Sequence, residues 1–128
     1  DTHADQLATH EKLWASASAA IQDFFDDLEE HNAADNVTMF LFSEFGRRVY
    51  DNGAGTDHGA AGVCLAIGKD VLGGEYGQYP SMNESDLDQG DLVPDLDFRG
   101  VYTTLIEDWM KLDPIPIVGG HFEKPRFV

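Results

Sequence analysis

A chain of 128 residues has room for one small domain, and eight Phe, four Tyr and two Trp supply material for a packed core rather than disorder. Twenty-four Asp and Glu against eight Lys and Arg leave a formal net charge of −16, which repels nucleic acid and anionic lipid surfaces and suits cations, a saline habitat, a basic partner or plain solubility. No apolar run approaches the roughly 18 residues of a membrane span, and the single cysteine excludes a disulfide within the chain.

The first element is an amphipathic helix from about Leu7 to His31. Leu13, Ala17, Ile21, Phe24 and Leu28 recur at three- and four-residue intervals, widened by Trp14 and Phe25, with Asp23, Asp26, Asp27, Glu29 and Glu30 opposite. Thr9 and Asp5 compete to cap it, and the polar stretch Asn32 to Asn36 stops it. Val37 to Phe42 is a short, nearly unbroken apolar run, which suits a central strand covered on both faces. A long helix leading into such a strand forms the second half of a βαβ unit, so an earlier strand is expected before Asp1.

A Gly-rich loop follows, and GVCLAIG (62–68) reads as a second strand in which Cys64 is a buried small hydrophobe. Gly73–Gly74 and Tyr79–Pro80 signal turns, and residues 81–97 form an acidic, irregular segment. Its Asp86, Asp88 and Asp91 miss the register of an EF-hand loop. Counted from Asp86, Gly90 falls on an oxygen-ligand position and Asp91 on the glycine position. Asp97 is placed to cap a last helix, about Phe98 to Leu112, ended by Pro114 and Pro116.

Carboxylates and imidazoles concentrate in the first half. In an open α/β sheet ligands gather beyond the carboxyl ends of the strands. Asp1 and His3, Ser43 and Glu44, and Asp57 and His58 all fall on that predicted rim. Asp, Glu and His are ligand types for divalent ions, although an Asp-His pair among glycines also suits a polar turn. Arg47 and Arg48 are placed to grip a phosphate, sulfate or carboxylate, or to pair with local carboxylates. His10 and His31 lie near the helix ends, and His121 has no partner nearby in sequence. Ser43 lacks the glycines of a nucleophile elbow.

The motifs DTH (1–3), SEFGRR (43–48), GTDHG (55–59), LGGEYGQYP (72–80), DFRGVYTTLIEDW (97–109) and GGHFE (119–123) resemble, in order and spacing, the C-terminal part of the bacterial family catalogued as domain of unknown function 1501. That family is similar to the alkaline phosphatase and sulfatase superfamily of metal-dependent ester hydrolases. The resemblance implies an α/β fold, the C-terminal portion of an alkaline-phosphatase-like sandwich with a mostly parallel central sheet flanked by helices. Residues 1–128 would then be a single unit, a C-terminal fragment of a longer domain, exported to the periplasm, cell surface or medium. It further implies a divalent metal (zinc, manganese or calcium) held by Asp1, His3, Glu44, Asp57 and His58, with Arg47 and Arg48 toward an anion. SEFG in place of a DHG-type strand ending removes one imidazole ligand, and the family's nucleophile would lie upstream of Asp1. The expected function is part of a phosphate- or sulfate-ester hydrolase site; the alternative is a non-catalytic binding or self-assembling module. Two helix stripes need more sheet than two strands supply. The expected partner is therefore an N-terminal part of the same protein, another chain or a second copy.

Overall fold

A computed structural model describes residues 1–128. Its elements are α1 (Gln6–Glu30), β1 (Thr38–Leu41), β2 (Gly46–Asp51), β3 (Thr56–Gly59), β4 (Leu65–Gly68), α2 (Phe98–Thr103), a π-helical continuation (Thr104–Trp109) and α3 (Ile115–Val118). The strands form two separate two-stranded sheets, β1 with β4 and β2 with β3, both antiparallel.

This corrects the expected fold class. The structure contains no parallel central sheet, so the alkaline-phosphatase-like sandwich is not what these residues build. The reason lies between β1 and β4. A parallel neighbour requires a crossover of a dozen or more residues, normally a helix. Here the intervening residues form a hairpin instead, which returns the chain in the opposite direction. β1 is accordingly half-buried rather than covered on both faces.

The Gly-rich stretch read as a loop is that β2–β3 hairpin. Asn52–Gly53 makes its turn: Gly53 takes φ +97°, in the left-handed region open to glycine. The Asn52 Oδ1 accepts hydrogen bonds from Ala54 N at 3.0 Å and Gly55 N at 2.9 Å. Gly46 is obligatory at the start of β2, because a Cβ there would fall inside the Ala61 carbonyl.

The main packing lies around α2. Val101, Thr103, Thr104 and Ile106 are buried there with Phe127 of the C-terminal segment, and Thr104 Oγ1 donates to Pro125 O at 2.6 Å. Tyr102 meets Phe40 and Phe42 edge-on, with ring centroids 5.7 and 6.1 Å apart, which ties this layer to β1. After Thr103 the helix widens: Met110 N donates to Leu105 O, five residues back.

Asp97 caps α2 as expected, its Oδ1 accepting from Arg99 N at 2.9 Å. The Arg99 side chain also clasps both carboxylate oxygens, at 2.9 and 2.6 Å. The side-chain bonds first, then the backbone N–H, hold the Asp97 pKa at about 2 against an ordinary 3.8. A depressed folded-state pKa stabilises the fold above the unfolded value, and that contribution disappears as pH falls through about 2. Asp97→Asn is therefore expected to lower the Tm at neutral pH and to change it little near pH 2, read by circular dichroism melts.

Little of the rest is enclosed. Nine of 128 residues are buried, none of them in α1. Leu7 is 95% exposed and Trp14 45% exposed. Cys64, expected inside, lies exposed at the approach to β4. Accessible area is 9094 Å², against about 6,700 Å² for a compact monomer of this mass. No helix is long and apolar enough to cross a membrane.

Candidate metal centre

The hairpin and the N-terminal segment build one cluster. Arg47 on β2 lies directly opposite His58 on β3, so their side chains are cross-strand neighbours. The segment before α1 is fastened over them: Gln6 N donates to Ala54 O at 3.3 Å, Asn52 Nδ2 to His3 O at 3.3 Å, and Thr56 Oγ1 to Gln6 Oε1 at 3.0 Å. Gly55 makes this approach feasible, since a Cβ there would stand 2.7 and 2.8 Å from the carbonyl oxygens of Thr2 and His3.

Asp1 sits at the centre. Its Oδ1 accepts from Arg47 Nη2 at 2.6 Å and lies 3.3 Å from His58 Nε2; its Oδ2 lies 3.4 Å from His3 Nε2. One ligand atom each from Asp1, His3 and His58 falls within 4.8 Å of the others. Neighbouring ligands of a tetrahedral zinc, bound at about 2.0–2.1 Å, stand roughly 3.4 Å apart. The two Asp–His separations already match that edge. The imidazoles stack with centroids 4.6 Å apart, and Phe45 stacks on His58 at 3.7 Å.

Asp57 supports rather than joins this trio. Its Oδ1 lies 3.4 Å from His3 Nδ1 and accepts from Asn52 Nδ2 at 2.9 Å. A histidine that offers Nε2 while a carboxylate holds Nδ1–H has the tautomer and orientation of a metal ligand. The Asn52 hydrogen bond, followed by the opposing effect of burial and then the contacts with His3, keeps Asp57 below its ordinary pKa and therefore anionic. His58 is pushed below 6.5 by desolvation first, then by the charges of His3 and Arg47, so its ring is neutral at physiological pH with a lone pair to give.

Glu44 lies outside the trio: no hydrogen bond or ion pair holds its carboxylate, which reaches His58 only as a weak field that favours the imidazolium. Arg48 turns away and pairs with Asp91 at 3.3 Å. Arg47, in contrast, donates Nη1 to Thr56 O at 2.8 Å and Nη2 to Asp1, and so faces the cluster. Ser43 Oγ accepts from Phe45 N at 3.3 Å within its own turn. Sequence reasoning passed over Asn52 and Phe45, although Asn52 holds both Asp57 and the His3 carbonyl; the Asn-Gly pair was the available signal.

One carboxylate oxygen and two imidazole nitrogens form a donor set suited to zinc or manganese. Calcium prefers six to eight oxygens and fits poorly. All three residues are exposed, which leaves coordination positions open toward solvent.

The family described as a protein of unknown function (DUF1501) matches residues 1–112, which span the whole cluster and nearly all of the fold. The chain belongs to the DUF1501 family. No curated protein and no solved structure matches it. The DUF1501 match includes every residue of the trio, the hairpin that carries His58 and the whole of α2.

Proposed function

We propose that this DUF1501 chain carries a divalent-metal site, Asp1, His3 and His58 with Asp57 behind His3, belonging to a phosphate- or sulfate-ester hydrolase centre of an exported protein. The observation that supports it most is the convergence of three ligand atoms within 4.8 Å from segments 55 residues apart in sequence, His3 and His58. A bound zinc or manganese would supply Lewis-acid polarisation of a phosphoryl or sulfuryl oxygen. The chain's own residues do the rest. Asp57 and Asn52 orient His3, Phe45 fixes the plane of His58, and Arg47, which already donates to Thr56 O and Asp1, is the nearby guanidinium whose remaining N–H groups are left for an oxyanion. Because Arg47 also holds Asp1, its charge opposes a cation there; the anionic Asp57 offsets it.

The reading is tested by zinc and phosphate titrations in one calorimetric series. The expected result is one zinc per chain, and a phosphate-binding event that appears only once zinc is bound. Arg47→Gln should retain the zinc stoichiometry and weaken phosphate binding by about tenfold, the worth of one charge-assisted pair. The absence of any phosphate-binding event that depends on both zinc and Arg47 would contradict the hydrolase-type site.

A second reading, a binding or assembly module, is supported by the 9094 Å² of accessible area and by the open apolar stripe of α1. A surplus of about 2,400 Å² over a compact monomer is the scale of a large protein–protein interface. Sedimentation equilibrium distinguishes the two: a concentration-dependent polymer without bound metal favours assembly, and a metal-loaded monomer favours the first reading.

A further inference from the structure

An open cleft lies far along the chain from the Asp1 cluster, between the π-helical turn and the C-terminal segment. It has a volume of about 630 Å³, is open to solvent, and is bordered by Asp70, Asp108, Trp109, Lys111, Lys124, Arg126 and Val128. Three of the eight lysines and arginines of a chain of net charge −16 thus line one cleft. Their pairing is informative. Arg47, Arg48, Lys69, Arg99 and Lys124 each form an ion pair with a carboxylate. Only Lys12, Lys111 and Arg126 have none, and two of these three border the cleft.

The local backbone explains how it arises. The π turn ends at Trp109, and Lys111 follows in the left-handed region at φ +60°, uncommon for a lysine. Its ammonium donates to the Asp108 carbonyl rather than to a carboxylate. Lys124 meanwhile reaches Glu107 at 2.8 Å and Asp108 at 2.7 Å, so both of those acids are already ion-paired. Of the side-chain carboxylates on the rim, Asp70 is the one without an ion pair, and Val128 borders the cleft as well. Trp109 adds an aromatic wall beside the cations.

We propose that this cleft is an anion site for a tetrahedral dianion, a phosphate group either free or as the monoester of an aromatic or other planar alcohol, with Lys111 and Arg126 on the phosphate and Trp109 against the organic part. It is independent of the metal reading, since none of its residues touches Asp1, His3 or His58.

Titration with inorganic phosphate and with phenyl phosphate, in EDTA to exclude metal, tests it through Trp109 fluorescence in a Trp14→Phe background. The expected result is a saturable change with both probes, tighter for phenyl phosphate; equal affinities would assign the site to free phosphate. Arg126→Gln and Lys111→Asn, the latter chosen because asparagine tolerates the left-handed backbone, should each weaken binding by about tenfold. Lys12→Gln, which removes the third unpartnered cation from α1, should leave it unchanged. A fluorescence response that never saturates, or one that Lys12→Gln lowers as much as Arg126→Gln does, overturns the proposal.

Discussion

Replacing His58 by alanine is expected to lower zinc affinity by on the order of a hundredfold or more, since it removes one of three protein ligands where loss of even an outer hydrogen-bond partner costs about 10–100-fold. His58 has a second role, as the ring on which Phe45 stacks at 3.7 Å and which His3 meets at 4.6 Å. His58→Gln keeps a polar group of similar reach but no imidazole nitrogen, and should lose zinc nearly as completely while disturbing the hairpin less. Competition against a chromophoric chelator measures both. The hairpin should survive in either variant, because its turn depends on Asn52 and Gly53 rather than on His58. If the variants bound zinc as tightly as the parent chain, the trio would not be the site.

Gly55→Ala is expected to damage the same site from the other side without touching a ligand. The backbone at Gly55 needs no left-handed angle, so alanine is tolerated conformationally. Its Cβ, however, would meet the Thr2 oxygen at 2.7 Å, the His3 oxygen at 2.8 Å and Gln6 Cβ at 3.1 Å. The N-terminal segment must withdraw by several tenths of an ångström, and it carries both Asp1 and His3. Metal sites demand ligands held to within about half an ångström. A loss of zinc affinity of about 10–100-fold is the expected outcome, with little change in far-UV circular dichroism. Unaltered affinity would show that the segment is not held where Gly55 places it.

Individual elements were legible in the pattern of residues, but the fold class was not. The periodicity of Leu13, Ala17, Ile21, Phe24 and Leu28 marked α1 to within a residue at each end, and Asp97 was a readable cap. The apolar run of β1 and the partner strand within GVCLAIG were likewise visible. Their mutual direction was not. An apolar run of six residues fits a buried parallel strand and a half-covered antiparallel one equally well, and only the intervening connection decides. That connection turned on Asn52–Gly53, a strong hairpin signal obscured by three further glycines within ten residues. The rim of a parallel sheet that was to gather the ligands therefore does not exist. Asp1, His3 and His58 meet across a hairpin and a docked N-terminal segment, and Glu44 has no part in that contact. Cys64 was misplaced for a related reason: with a two-stranded sheet in place of a wide one, β4 has no layer to cover its approach.

Long-range ¹H–¹⁵N correlation of the five histidines, before and after one equivalent of zinc, tests the metal centre most directly. The account predicts that Nε2 of His3 and of His58 shift together and saturate at one equivalent, while His10, His31 and His121 stay where they were. Zinc that moves those three rings instead, or leaves His3 and His58 unshifted, would contradict it.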